Sequence, residues 1–200
     1  MKYEGIKMKI ILGSSSPRRK ELLSRIVKDF EINPSNFDES LIKQEEKNPA
    51  KLVEKLSKLK GEEIYSRQNI NHNFIIISSD TMVFLNDTLL GKPKDKEDAF
   101  KKLKKLQNNK HEVYTGLFVI INKDGKQEKI ITHSKTDVYF KKLIDKEILD
   151  YINSENTLDK AGGYAIQGKA KDFVEKIEGN IETVIGLDIE KLKKILKDYI

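Results

Sequence analysis

The sequence predicts an α/β fold built on a mixed β-sheet, and two observations predict it. Strand-like apolar runs alternate with segments of helical periodicity along the 200 residues, and some consecutive strands are joined by tight turns rather than by helices. Hydrophobic residues make up 38% of the chain, enough for a core, and the length fits one domain over residues 1–200, with or without two lobes around a cleft.

The elements follow in order. Lys9–Leu12 reads as a short buried strand and Gly13-Ser14-Ser15-Ser16 as a loop. Pro17 suits the first position of a helix, whose apolar stripe is Leu22, Leu23, Ile26 and Val27. A second helix starts near Asn48-Pro49 and carries Leu52, Val53, Leu56 and Leu59. Phe74–Ser79 is a buried strand ending at Asp80, and Thr81–Leu85 with Thr88–Leu90 forms a hairpin around Asn86-Asp87. Asp95 with Asp98 marks a helix start for Ala99, Phe100, Leu103 and Leu106. Glu112–Asn122 and Lys126–Phe140 are long strands joined at Lys123-Asp124-Gly125, and Asp145 begins a helix through Ile148, Leu149 and Ile152. Tyr164–Gln167 and Phe173–Ile177 are short strand candidates, and Asp188 caps a last helix carrying Leu192, Ile195, Leu196 and Tyr199.

Composition excludes several classes. There is no cysteine, which removes disulfides, thiolate zinc and a cysteine nucleophile. No apolar run reaches the roughly 18 residues of a membrane span, and Met1-Lys2-Tyr3-Glu4 lacks a secretory core, so a cytoplasmic protein is expected. The net charge of +6 suits an anionic partner, nucleic acid or a phosphorylated ligand, although lysines such as Lys101, Lys102, Lys104 and Lys105 fit solvated helix faces. No basic patch interleaved with aromatics and no helix-turn-helix signature supports nucleic acid.

Six places carry candidate chemistry. In Ser14-Ser15-Ser16-Pro17-Arg18-Arg19, a loop leads into a helix start with free N–H groups, hydroxyls and guanidinium groups, a set that suits phosphate. Arg18 and Arg19 also stand in the first turn, where the helix dipole disfavours cations; a bound anion would relieve that, and solvated arginines beside an ordinary serine cap would explain the run as well. Asp80, at the end of an apolar strand, could bind a metal or orient water, or be a turn aspartate. Lys60 lies on or beside the inward stripe set by Leu52 and Leu56, so it either snorkels out or meets an anion. Lys92, between Gly91 and Pro93, is a phosphate ligand or a plain turn lysine. Glu39, beside Asp38 and Ser40, could share a metal with Asp80 or belong to a solvated acidic loop. Gln167, in a glycine-flanked run, can both donate to and accept from a base edge. His111 reads as structural, and His72 and His133 show no ligand spacing.

Order and company add to these signals. Ser14-Ser15-Ser16-Pro17-Arg18-Arg19-Lys20-Glu21-Leu22-Leu23, Ser79-Asp80-Thr81-Met82-Val83, Gly91-Lys92-Pro93, His111-Glu112-Val113-Tyr114-Thr115-Gly116, Thr136-Asp137-Val138, the run Leu158–Gly168 and Val184-Ile185-Gly186-Leu187 together resemble the Maf family of nucleotide pyrophosphatases. The resemblance runs from about Lys9 to the last helix. It implies a twisted mixed sheet flanked by helices with a central cleft between two lobes, and hydrolysis between the α- and β-phosphates with a divalent metal, Mg²⁺ or Mn²⁺. It implies Asp80 as proton acceptor, Glu39 as the second acid and with Asp80 a metal contact, and Ser14, Arg18, Lys60 and Lys92 as phosphate ligands. Arg19, Thr81 and Gln167 stand where subfamilies differ, and this combination resembles the dTTP/UTP type rather than the 7-methyl-GTP type. A homodimer is implied on the same ground. Departures are Asp188 for a usual proline after Gly186-Leu187, Asn180 and Thr183 near the C-terminal loop, and Gly13-Ser14-Ser15 for an Ala-Ser loop. The rival expectations are a purine-directed or 7-methyl-GTP pyrophosphatase on the same scaffold, and a non-enzymatic nucleic-acid-binding regulator of cell division.

Overall fold

A computed structural model describes residues 8–39, 42 and 46–199; Met1-Lys2-Tyr3-Glu4 and Ser40 lie outside the described residues. The chain order is β1 (Lys9–Leu12), α1 (Pro17–Ser24), β2 (Glu31–Ile32), α2 (Pro49–Ser66), β3 (Phe74–Leu85), β4 (Thr88–Leu90), α3 (Lys96–Leu106), β5 (Lys110–Lys123), β6 (Lys126–Phe140), α4 (Asp145–Ser154), two 3₁₀ turns (Ala161–Gly163 and Gly168–Phe173), β7 (Val174–Glu178), α5 (Ile181–Ile185) and α6 (Ile189–Leu196). The strands form one seven-stranded sheet in the order β2-β1-β3-β5-β6-β7, with β4 also on β3. β1 pairs in parallel with β2 and β3; the remaining pairs are antiparallel. The sheet is therefore mixed, as expected. No helix among the described residues is long and apolar enough to cross a membrane.

Side chains of a strand alternate between faces, and here the alternation sorts the core. Even-numbered residues of β3 and β5, among them Phe74, Ile76, Met82, Phe84, Phe118 and Ile120, face α2 with its Leu52, Val53, Leu56 and Ile64. Odd-numbered residues face the other helices in two separate clusters. Ile75, Ile77, Leu117 and Val119 pack with α1 and α6. Val83 and Val113 pack with α3, α4 and the segment around Tyr164. Ser79 and Thr81 occupy the boundary between those clusters, which makes the expected two-lobed arrangement.

Two details of β3 position the site. β1 accompanies it only as far as Leu12 against Ile77, and β4 joins only at Val83 against Leu90, so the stretch from Ser78 to Met82 is paired on one side alone, to β5. The open edge lies beside Asp80. Next, Gly116 stands opposite Asp80 on β5, and a Cβ there would fall 2.1 Å from the Val53 carbonyl oxygen. Only glycine lets α2 settle this close to the sheet, and the close approach carries Lys60 to Asp80.

The structure revises several expected boundaries. β3 runs on through Asp80 to Leu85, because β5 pairs with every residue from Phe74 to Phe84. Asn86 and Asp87, at φ 48° and 61°, make the tight turn to β4. Tyr164–Gln167 is not a strand: Gly162 and Gly163, at φ 68° and 81°, turn the chain away from the sheet. β7 starts at Val174, one residue later than expected. α1 closes at Ser24, leaving Ile26 and Val27 in the following turn, and Tyr199 lies past the end of α6. β2 and α5 were not foreseen; each is too short to show a period. Asp188 caps α6 as expected, its side chain accepting from the Lys191 N–H at 3.0 Å.

Candidate active site

A cleft of about 400 Å³ opens at the one-sided stretch of β3. Every candidate residue from the sequence lines it: Ser14, Arg18, Arg19, Glu39, Lys60, Asp80, Thr81, Lys92 and Gln167. Positions 153 residues apart in sequence thus share one space, because the loop after β1, the start of α1, the middle of α2, the middle of β3, the β4–α3 loop and the segment after α4 all border it.

On the α2 side of the sheet, Lys60 forms ion pairs with both Asp80 and Glu39 through Nζ. The sequence expected Lys60 to choose between solvent and a bound anion; the structure gives it two carboxylates of the protein itself. Asp80 is buried at 4% exposure, and its Oδ2 has no hydrogen-bond partner among the described residues while Oδ1 faces Lys60. A buried carboxylate oxygen left without a partner is costly, about 1–3 kcal/mol or more for a charged group. An oxygen lone pair beside a second carboxylate suits a hard divalent cation. Among the described residues no cluster of three or more acids or histidines exists for a metal, so protein would supply Asp80 and Glu39, with water and phosphate oxygens completing the shell.

On the opposite side, Arg19 makes three contacts. Its Nε donates to the Gly186 carbonyl at 2.8 Å, Nη1 to Ser14 Oγ at 3.3 Å and Nη2 to Thr81 Oγ1 at 3.1 Å. Burial lowers its pKa, opposed first by the nearby Asp80 carboxylate, and a guanidinium stays charged all the same. Thr81 Oγ1 lies 2.9 Å from Thr115 Oγ1, which donates to the Thr183 carbonyl at 2.6 Å. Ser79 Oγ donates to the Gly186 carbonyl as well, at 2.9 Å.

Arg18 is half-buried and sits 3.9 Å from Asp159, while Lys92 is exposed. Ser16 precedes α1 without a side-chain cap, and Ser14 Oγ accepts from the Ser16 N–H at 3.2 Å as well as from Arg19. The segment carrying Gln167 is held by side chains instead of a strand ladder. Tyr164 and Ile166 are buried, Ala165 and Gln167 are not, and the Ala165 N–H donates to Tyr151 Oη at 3.2 Å. Tyr164 Oη lies 2.6 Å from His111 Nε2. Burial pushes His111 down to about 4, so the imidazole is neutral in ordinary buffers, and it pushes the Tyr164 phenol up. The structural reading of His111 agrees with this buried position. Gln167 Nε2 reaches only to 3.5 Å of Glu21 Oε2.

Sequence reasoning gave Thr115 and Thr183 no role. The signal that links them to Thr81 is the β3–β5 register, which places Thr81 opposite Thr115, and register was not readable before the strands were paired.

Comparisons with known proteins bear on the same site. A family model described as Maf-like protein matches residues 9–199. The chain is 45% identical over 190 residues to a protein of Thermoanaerobacter sp. (strain X514) named dTTP/UTP pyrophosphatase, covering 95% of this chain and 96% of that protein. It is 45% identical over 193 residues to a Clostridium perfringens (strain SM101 / Type A) protein of that name, covering 96% and 97%. A third protein so named, from Caldicellulosiruptor bescii, is 41% identical over 191 residues, covering 94% of each chain.

Proposed function

This chain belongs to the Maf-like family, and from that premise we propose that it hydrolyses dTTP and UTP between the α- and β-phosphates, giving the nucleoside monophosphate and pyrophosphate. The observation that carries the reading is the orphaned Oδ2 of Asp80 in a cleft that gathers Arg18, Lys60 and Lys92 around it.

The residues divide the work by charge. A triphosphate repels an incoming water, so its charge must be offset first. Arg18 and Lys92, with the hydroxyls and N–H groups of Ser14-Ser15-Ser16, receive the phosphate oxygens. Lys60 holds Asp80 by Oδ1 and so leaves Oδ2 facing the reacting water. Asp80 Oδ2 accepts a proton from that water as its oxygen bonds to the α-phosphorus. The bond from the α-phosphorus to the α–β bridging oxygen breaks, and pyrophosphate leaves with the electron pair, its charge met by the cationic wall. A divalent cation held by Glu39 and Asp80, Mg²⁺ or Mn²⁺, would supply Lewis-acid polarisation of the phosphate oxygens.

The base lies away from the acids. Beyond Thr81 the cleft is lined by Val83, Val113, Tyr164, Ile166, Val184 and Ile185, an apolar wall suited to a pyrimidine ring, with Thr81 and Gln167 as polar groups beside it. A panel of nucleoside triphosphates with Mg²⁺ or Mn²⁺ tests the proposal. Pyrophosphate and monophosphate should form fastest from dTTP and UTP, and ¹⁸O from labelled water should enter the monophosphate. A preference for 7-methyl-GTP, or label in the pyrophosphate, would refute it.

A further inference from the structure

The hydrogen bonds around Thr81 have a direction that the chemistry of the groups dictates. A guanidinium only donates, so Thr81 Oγ1 accepts from Arg19 at 3.1 Å. A carbonyl only accepts, so the single hydrogen of the Thr115 hydroxyl goes to the Thr183 carbonyl at 2.6 Å. The 2.9 Å contact between Thr81 and Thr115 must then use the hydrogen of Thr81. The chain runs one way, from Arg19 through Thr81 and Thr115 to Thr183. Thr115 is buried at 1% exposure, so no solvent competes for its hydrogen.

This polarity leaves Thr81 with one lone pair and no hydrogen to offer the cleft. Thr81 shares its face of the sheet with Val83, Val113 and Thr115, the apolar wall assigned to the base, whereas Asp80 points to the other face. A lone pair beside that wall pairs with a donor on the ring. Uracil and thymine present N3–H; cytosine presents an N3 lone pair. We infer that Thr115 is a positioning residue, which fixes the Thr81 hydroxyl as an acceptor and thereby selects pyrimidines that carry N3–H. At Thr81, cytosine could be met only by turning the hydroxyl hydrogen into the cleft, which breaks the contact to Thr115. Thr183 takes part through its backbone carbonyl, while its own buried hydroxyl has no hydrogen-bond partner among the described residues. The inference rests on the nucleotide reading above and adds the atom that is read.

The test uses the intact enzyme with UTP, CTP and the triphosphate of pyrimidin-2-one riboside, whose N3 is an acceptor with no substituent at C4. Wild-type kcat/KM for UTP should exceed that for each of the other two by at least tenfold, the size expected when a site's polar group is left facing a like group. Thr115→Val frees the Thr81 hydrogen and should narrow both ratios at least fivefold, and Thr115→Ser should hold them. Thr81→Val, which removes the acceptor, should bring UTP down toward CTP. Equal loss on all three substrates in Thr115→Val, with the ratios kept, would mean Thr115 serves stability alone and would overturn the inference. Wild-type enzyme that treats UTP and the pyrimidin-2-one analogue alike would overturn it too, with the pyrophosphatase reading intact. Wild-type enzyme inactive on every triphosphate would instead remove the reading beneath it.

Discussion

Asp80 and Thr81 are neighbours in the chain, yet they stand in unlike surroundings. Asp80 turns to the α2 side, where Lys60 and Glu39 make a concentrated set of charges around a carboxylate oxygen without a partner. Thr81 turns to the other side, into a directed line of hydroxyls beside an apolar wall. Extended backbone makes the separation: consecutive side chains leave a strand on opposite faces. The one-sided stretch of β3 then lets a ligand reach both faces around an open edge. The comparison teaches that phosphate chemistry and base selection can be altered independently, although their residues are adjacent.

The sharpest break of that comparison is Asp80→Asn. It keeps the shape and the contact to Lys60 but cannot take a proton. Turnover of dTTP should fall by about a thousandfold, within the range for loss of a general base. KM and the dTTP preference should change little, and the melting temperature should stay or fall only modestly, since Lys60 keeps its ion pair to Glu39. Steady-state pyrophosphate release with thermal melting checks all three. Near-normal turnover would show that another group accepts the proton.

Gly116→Ala disturbs the same face through packing. The new methyl would press on the Val53 carbonyl and lift α2 from β5, taking Lys60 from Asp80. The cost should be about 3 kcal/mol, at the upper end for overpacking, read from the urea midpoint. Turnover should fall more than base preference changes. Overpacking that leaves kcat intact would separate the seating of α2 from the chemistry.

The Thr81 side carries its own titrating group. His111 shares that face with Val113 and Thr115, and burial pushes it down to about 4 from an unfolded value near 6.5. Between those limits the unfolded chain binds a proton that the folded chain refuses, so folding stability falls as pH falls. The loss should approach about 3 kcal/mol on going from pH 7 to pH 4. His111→Leu should flatten that part of the stability curve, measured by urea unfolding across pH. An unchanged slope would place the acid sensitivity in the carboxylates of the other face.

How much of this was legible in the sequence follows the same division. The helices with strong stripes and caps, such as α3 behind Asp95, and the long strands β5 and β6 were readable from period and turn chemistry. The grouping of Arg18, Lys92 and Asp80 was legible through the resemblance to the Maf family; taken singly, each fits a solvated or turn residue as well as a ligand contact. What the sequence hid was anything set by pairing across strands. The polar run Ser78-Ser79-Asp80-Thr81 looks like the end of a strand; it stays in the ladder because β5 satisfies one edge while the other opens to the cleft. The alternation Tyr164, Ile166 inward and Ala165, Gln167 outward has the period of a strand without a strand partner, since His111 and Tyr151 hold it by side chains. Thr115 became meaningful only once it stood opposite Thr81.

Gln167→Glu is the mildest way to sharpen the comparison, because it alters one amide beside the base wall and leaves the acids of the other face alone. Gln167 is only partly buried, and its nearest polar neighbour, Glu21 Oε2 at 3.5 Å, is too distant for a strong bond. The substitution removes two N–H donors and adds a charge near Glu21. A base carbonyl that had been met by the amide would then face a carboxylate. The kcat/KM for dTTP and UTP should drop about three- to tenfold, the size of one net hydrogen bond. Methyl triphosphate, which has the same phosphates and no base, should be hydrolysed at the wild-type rate. If methyl triphosphate falls in step with dTTP, the added charge acts on the phosphates, and Gln167 belongs with the Asp80 side after all.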